Sequence, residues 1–133
     1  MKLKIETLIF VMAFAMTLCP MAMAIDNNLA VRAIIGEASN QGYQGMLAIA
    51  VGIRNRGHLK GVYGVKAKHV DKQPPWVWDR ARKAWKESEH NRIHTGTHWE
   101  NIKAFGTPYW VSSMNKVYEY KDHVFYKERG QND

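Results

Sequence analysis

Apolar positions recur at helical spacing in three stretches of the chain and at two-residue spacing in a fourth. Leu29, Ala30, Ala33, Ile34 and Glu37 share one helical face. Asp26, Asn27 and Asn28 offer N-caps for it, so a helix is predicted over about 28–37, weakened at its end by Gly36 and Ser39-Asn40. Asn40 can cap a second helix over about 43–56 that stops at Gly57. Met46, Ile49, Ala50 and Ile53 line one side of that helix, and Leu47, Ala48, Val51 and Gly52 make the other sides nearly as apolar, the mark of a central, buried helix. Gly52 and Ala48 leave room for another helix to approach. Asn55 lies in line with them, so its amide either faces inward or caps the helix end.

His58 to Lys72 reads as a loop rich in glycine and lysine. Pro75 then opens a third helix, with Val77, Ala81, Ala84, Trp85 and Ser88 in one stripe and Arg80, Lys83 and Lys86 turned to water. The stretch 97–110 reads as irregular and aromatic. Met114–Tyr120 and His123–Lys127 alternate with a period of two and predict a hairpin turning at Lys121-Asp122. These elements give an α+β class, mainly α, with a short C-terminal β-hairpin.

The first residues read differently. Lys2 and Lys4 precede an apolar run from Leu8 to Leu18, and Ala22-Met-Ala24 is a small-x-small cleavage site. This is the pattern of a secretory signal peptide over 1–24, too short for a stable membrane span. The expected product is an exported protein, periplasmic or extracellular, with residues 25–133 as a single domain. The one cysteine, Cys19, leaves with the signal, so neither a disulfide nor a cysteine nucleophile is expected.

The net charge of +7 suits anionic polymers met outside the membrane: wall glycan with its stem carboxylates, wall phosphates, or nucleic acid. The basic side of the third helix reads as a solvated face rather than a nucleic-acid reader. All five tryptophans and all six tyrosines lie beyond residue 24. Rings interleaved with polar residues, as in Trp99-Glu-Asn101 and Pro108-Tyr-Trp110, suit sugars as well as a core.

Three chemistries compete. Glu37, among apolar neighbours at a helix C-terminus, is placed to keep its proton and act as a general acid; the alternative is a helix-end carboxylate turned to water. A second carboxylate, as most glycosidases use, has only Asp71, Asp79, Glu87 or Glu100 as candidates. One carboxylate suffices where the C6 hydroxyl of muramic acid is the nucleophile. His94-x-x-x-His98 with His123 is a zinc candidate, but Gly96 interrupts helical spacing and no acidic residue sits in a known zinc pattern beside it, so no metal and no cofactor are expected. Ser39, Ser112 and Ser113 lie in no nucleophile elbow.

Arg32-Ala-Ile-Ile-Gly-Glu37-Ala38, Gly45, Ala48-Ile-Ala50 and Ile53-Arg-Asn55-Arg56 resemble the opening of the cell-wall hydrolase family of spore-cortex-lytic enzymes. Gly96-Thr-His98-Trp99, Pro108-Tyr-Trp110 and His123-Val-Phe125-Tyr126 resemble its later motifs. Gln41 departs from a position that is often acidic in that family. The resemblance implies a small lysozyme-like, lytic-transglycosylase-like domain acting on peptidoglycan glycan strands; a monomer that binds no nucleic acid is expected. It implies Glu37 as the acid and places Asn55, His98, Trp99, Tyr109, Trp110, His123 and Tyr126 near the glycan. Cleavage between N-acetylmuramic acid and N-acetylglucosamine is the expected reaction. An N-acetylmuramoyl-L-alanine amidase and a non-catalytic wall-binding module are the alternatives.

Overall fold

A computed structural model describes residues 24–130. All of the expected signal peptide but Ala24 lies outside these residues. Helix α1 runs Asn27–Ala38, α2 Gly42–Arg56 and α3 Pro75–Glu87. Asp26 caps α1 by accepting from the Leu29 N–H at 2.9 Å, and Gly57 ends α2 in the left-handed conformation, with φ 78°. The expected Asn40 cap does not form: Gln41 holds the N-cap position without a side-chain bond. The Asn40 carbonyl oxygen instead accepts from the Gln41 amide, which also donates to Asp122 and so ties the α1–α2 corner to the distant hairpin turn.

Helix α2 is the centre, buried without interruption from Gly45 to Ile53. α1 and α3 pack on it. Ala30, Ala33 and Ile34 of the predicted α1 face are fully buried, whereas Leu29 is 44% exposed. The predicted α3 stripe from Val77 to Ser88 is buried throughout. Polar ties fix the bundle. The Trp85 indole N–H donates to Asn27 Oδ1 at 2.8 Å, Arg54 lies 3.7 Å over the Trp85 ring, and the Tyr43 hydroxyl donates to Glu87. Arg32 forms a two-pronged pair with Asp71, joining α1 to the segment that follows α2.

That segment is more ordered than a loop. It contains two 3-10 turns, Tyr63–Lys66 and Lys68–Lys72, and the first lies directly against α1. A Cβ on Gly36 would stand 2.1 Å from the Gly64 carbonyl oxygen, so the contact is backbone on backbone and needs a glycine on each side.

Downstream, β1 (His98–Asn101) and a single turn α4 (Ile102–Phe105) precede a third 3-10 turn, Tyr109–Ser113, then β2 (Met114–Tyr120) and β3 (His123–Glu128). The hairpin of β2 and β3 is extended by β1 into a three-stranded antiparallel sheet of order β1-β3-β2. Central β3 buries Val124, Phe125 and Tyr126 on both faces. A register break between Lys116 and Tyr118 turns Val117 outward, away from the alternation it was read into. Lys121 makes the turn with a positive φ of 49° in place of the usual glycine.

Candidate functional site

The last turn of α1 carries Glu37 into a cleft of ≈ 190 Å³ whose wall includes Arg56, Tyr63, His98, Trp99, Glu100 and Trp110. Glu37 Oε1 accepts from the Gly64 N–H at 3.0 Å, a bond that the Gly36–Gly64 contact makes possible. The Trp99 indole lies beside the carboxyl and favours its ionised form. Burial pushes the Glu37 carboxyl above the ordinary glutamate range. The Gly64 bond and the Trp99 indole pull it back, Glu100 pushes it further up, Arg56 pulls it down, and the net is a raised pKa. Burial, one of the two causes read from the sequence, leads.

Trp99 is set by α2 and the sheet together. A Cβ on Gly52 would stand 2.8 Å from the Trp99 ring, so the room at Gly52 admits an indole and not the helix expected there. Strand β1 supplies the opposite support through the Trp99–Phe125 pairing, with ring centroids 6.1 Å apart.

Arg56, the last residue of α2, lies 5.4 Å over the Trp99 ring and donates to the Lys60 carbonyl at 2.6 Å. His98 Nδ1 meets Thr97 Oγ1 at 2.9 Å, and its ring lies 5.6 Å from that of Trp110. Burial, and next the Arg56 charge, lower the His98 pKa, so the ring is neutral at ordinary pH.

Of the residues singled out from the sequence, Glu37, His98, Trp99 and Trp110 meet in this cleft. Tyr126 is buried behind it, edge-on to Trp110 at 5.5 Å. His123 is buried near Phe125. Tyr109 is 92% exposed on the same 3-10 turn as Trp110 and lines no part of the cleft. Asn55 faces inward but away from the cleft, with its amide donating to the carbonyls of His94 and Gly96 at 3.0 and 2.9 Å and its oxygen accepting from Arg92.

Asn55 thus holds the approach to β1. Asn55→Ala is expected to cost about 1–3 kcal/mol by stranding two carbonyls, read as a lower denaturation midpoint. An unchanged midpoint would remove that role.

His94 and His98 diverge. The His94 Nδ1 lone pair takes the Gly96 N–H, and its Nε2 faces the Ala48 carbonyl at 2.8 Å, so neither nitrogen is free for a metal. Among the described residues no group of three or more His, Cys, Asp or Glu side chains is placed to hold a metal ion. Arg56, Tyr63 and Gly64 were missed as site residues. Arg56 stood only within the Ile53-Arg-Asn55-Arg56 stretch of the resemblance, and Tyr63 and Gly64 only within a glycine-rich loop. Of the four candidate second carboxylates only Glu100 lines the cleft; Asp71, Asp79 and Glu87 are paired with Arg32, Arg82 and Lys83.

Comparison with solved structures finds this fold in two catalytic domains. One is that of the Bacillus cereus SleB protein, 19% identical, with 76% of this chain and 88% of that one covered and a TM-score of 0.57. The other is that of a germination-specific lytic transglycosylase, SleB from Bacillus anthracis, again 19% identical, with 76% and 93% covered and a TM-score of 0.57. At this identity the likeness is one of fold. No protein-family model matches the chain, and no curated protein sequence matches it.

Proposed function

We propose that the chain is an exported peptidoglycan-lytic enzyme whose residues 25–133 form one catalytic domain, and that it is a lytic transglycosylase with Glu37 as its acid and base. The observation that carries this reading is a carboxyl biased toward its protonated form by burial, held by the Gly64 N–H beside the Trp99 ring, at the floor of an aromatic-walled cleft. The fold shared with SleB catalytic domains supports it.

Glu37 protonates the oxygen between N-acetylmuramic acid and N-acetylglucosamine, and the C1–O bond breaks. The muramyl C6 hydroxyl then bonds to C1 and gives its proton to the Glu37 carboxylate, which restores the acid and leaves a 1,6-anhydro ring. His98, Trp99 and Trp110 offer ring faces to the sugar, with Tyr109 at the outer edge. Asn55, His123 and Tyr126 act behind the wall.

Glu100 in the same cleft favours a second reading, in which it directs a water at C1. Mass spectrometry of digested wall glycan separates the outcomes. Anhydro-muramyl ends are expected. Reducing muramyl ends would mean hydrolysis, free stem peptides an amidase, and no products a wall-binding module.

A further inference from the structure

Arg56 is the only residue lining the cleft, among those described, that carries a permanent charge of positive sign. It is fixed from two sides, by the Trp99 ring beneath it and the Lys60 carbonyl at its Nη2. Arg32 and Arg82 touch carboxylates; among the described residues no carboxylate is in ion-pair contact with Arg56, which feels the Glu37 charge only at longer range. Glu37 Oε1 is engaged with the Gly64 N–H, and Glu100 Oε1 accepts from the Asn101 N–H at 3.0 Å.

A half-buried guanidinium without a carboxylate in contact is costly. This one also works against its neighbour, because its charge draws the proton off Glu37. Its presence calls for an anionic group that arrives with the ligand. The planar fork of a guanidinium matches a carboxylate; the Lys60 carbonyl takes one of the two Nη2 N–H groups, and the other can still form a two-pronged face together with Nε or Nη1. On the peptidoglycan reading above, on which this inference rests, muramyl units supply that group on the 3-O-lactyl arm or on the stem peptide attached to it.

We propose that Arg56 pairs with a carboxylate on the muramyl substituent, so that the cleft selects muramyl units with an anionic arm over units whose arm is neutral. The pairing has a second effect. A bound carboxylate offsets the Arg56 charge and returns Glu37 toward its protonated form, which couples recognition of the arm to readiness of the acid.

The test uses three soluble glycans: chains with intact stem peptides, chains stripped to the free lactyl carboxylate, and stripped chains with that carboxyl converted to the methylamide. The wild-type protein is expected to cut at least one carboxylate-bearing chain with kcat/KM about tenfold to a hundredfold above the methylamide, the worth of one charge-assisted hydrogen-bonded pair. The better of the two anionic chains identifies the source of the carboxylate. Arg56→Gln is expected to bring the ratio of anionic to methylamide rates close to one, and Arg56→Lys to restore part of it. Equal wild-type rates on all three chains overturn the proposal. So does an Arg56→Gln protein that is slower but keeps the wild-type ratio, because Arg56 would then serve only to support Trp99. Absence of product from every wild-type digest overturns the peptidoglycan reading and this inference with it. The wild-type arm stands even if a variant fails to fold.

Discussion

Glu37→Gln is expected to lower the rate of wall lysis by about 10²- to 10⁴-fold, the usual worth of a positioned general acid, while the fold is kept. Glutamine is nearly isosteric, and its side-chain carbonyl can still accept the Gly64 N–H that Glu37 Oε1 accepts at 3.0 Å. It cannot release a proton to a leaving oxygen. The measurement is clearance of a suspension of purified sacculi, with product analysis on the same digest. Wild-type clearance by the variant would end the assignment of Glu37.

The same substitution carries a stability signature whose sign follows from burial. Because the folded protein holds the Glu37 pKa above its unfolded value, the stability contributed by the neutral carboxyl is complete below the unfolded pKa. It is lost as pH rises through the folded one. At neutral pH the wild type therefore bears the cost of burying the charge or of keeping the proton, and the glutamine protein bears neither. Glu37→Gln should melt at or above the wild type at pH 7, and the gap should close in acid. The alkaline limb of kcat/KM for the wild type should correspondingly lie above the ordinary glutamate range. A glutamine variant that melts lower at pH 7 and equally in acid would contradict the burial argument.

The three main helices were legible because each is written in local spacing. The α3 stripe, the caps at Asp26 and Gly57 and the all-round apolarity of α2 need no distant partner to be read. The site was half legible for the same reason. Glu37 stands out as a carboxylate on an apolar face, and the aromatic motifs deliver His98, Trp99 and Trp110 to it. What the sequence hides depends on segments far apart along the chain. Strand β1 has four residues without alternation and becomes a strand only through the backbone of β3, His98 opposite Tyr126 to Asn101 opposite His123. Asn55 points inward as read, but what it holds is a pair of carbonyls rather than a sugar. Gly52 reads as a place for a helix and receives an indole. The Gly64 N–H has no pattern of its own, and its role appears only once α1 is laid beside it.

That contact supplies a prediction in which local and tertiary arguments give opposite signs. On helix propensity alone Gly36→Ala, in the last turns of α1, should stabilise by up to about 1 kcal/mol. The added Cβ would stand 2.1 Å from the Gly64 oxygen and 2.5 Å from its C and Cα. All three are backbone atoms, so no rotamer relieves the clash and the turn must lift from α1. Overpacking of this kind costs about 1–3 kcal/mol, which for a domain near 100 residues is a fall in Tm of roughly 5–20 °C. Lifting the turn also draws the Gly64 N–H off Glu37 and shifts the Tyr63 side of the cleft, so lytic activity should fall at temperatures where the variant is still folded. Gly57→Ala is the control. Its Cβ meets nothing within 4 Å, and only its positive φ of 78° is strained. It should cost about 1 kcal/mol and leave lysis intact. A Gly36→Ala protein that melts above the wild type with full lysis would show that the turn does not bear on α1 and would detach Gly64 from the acid.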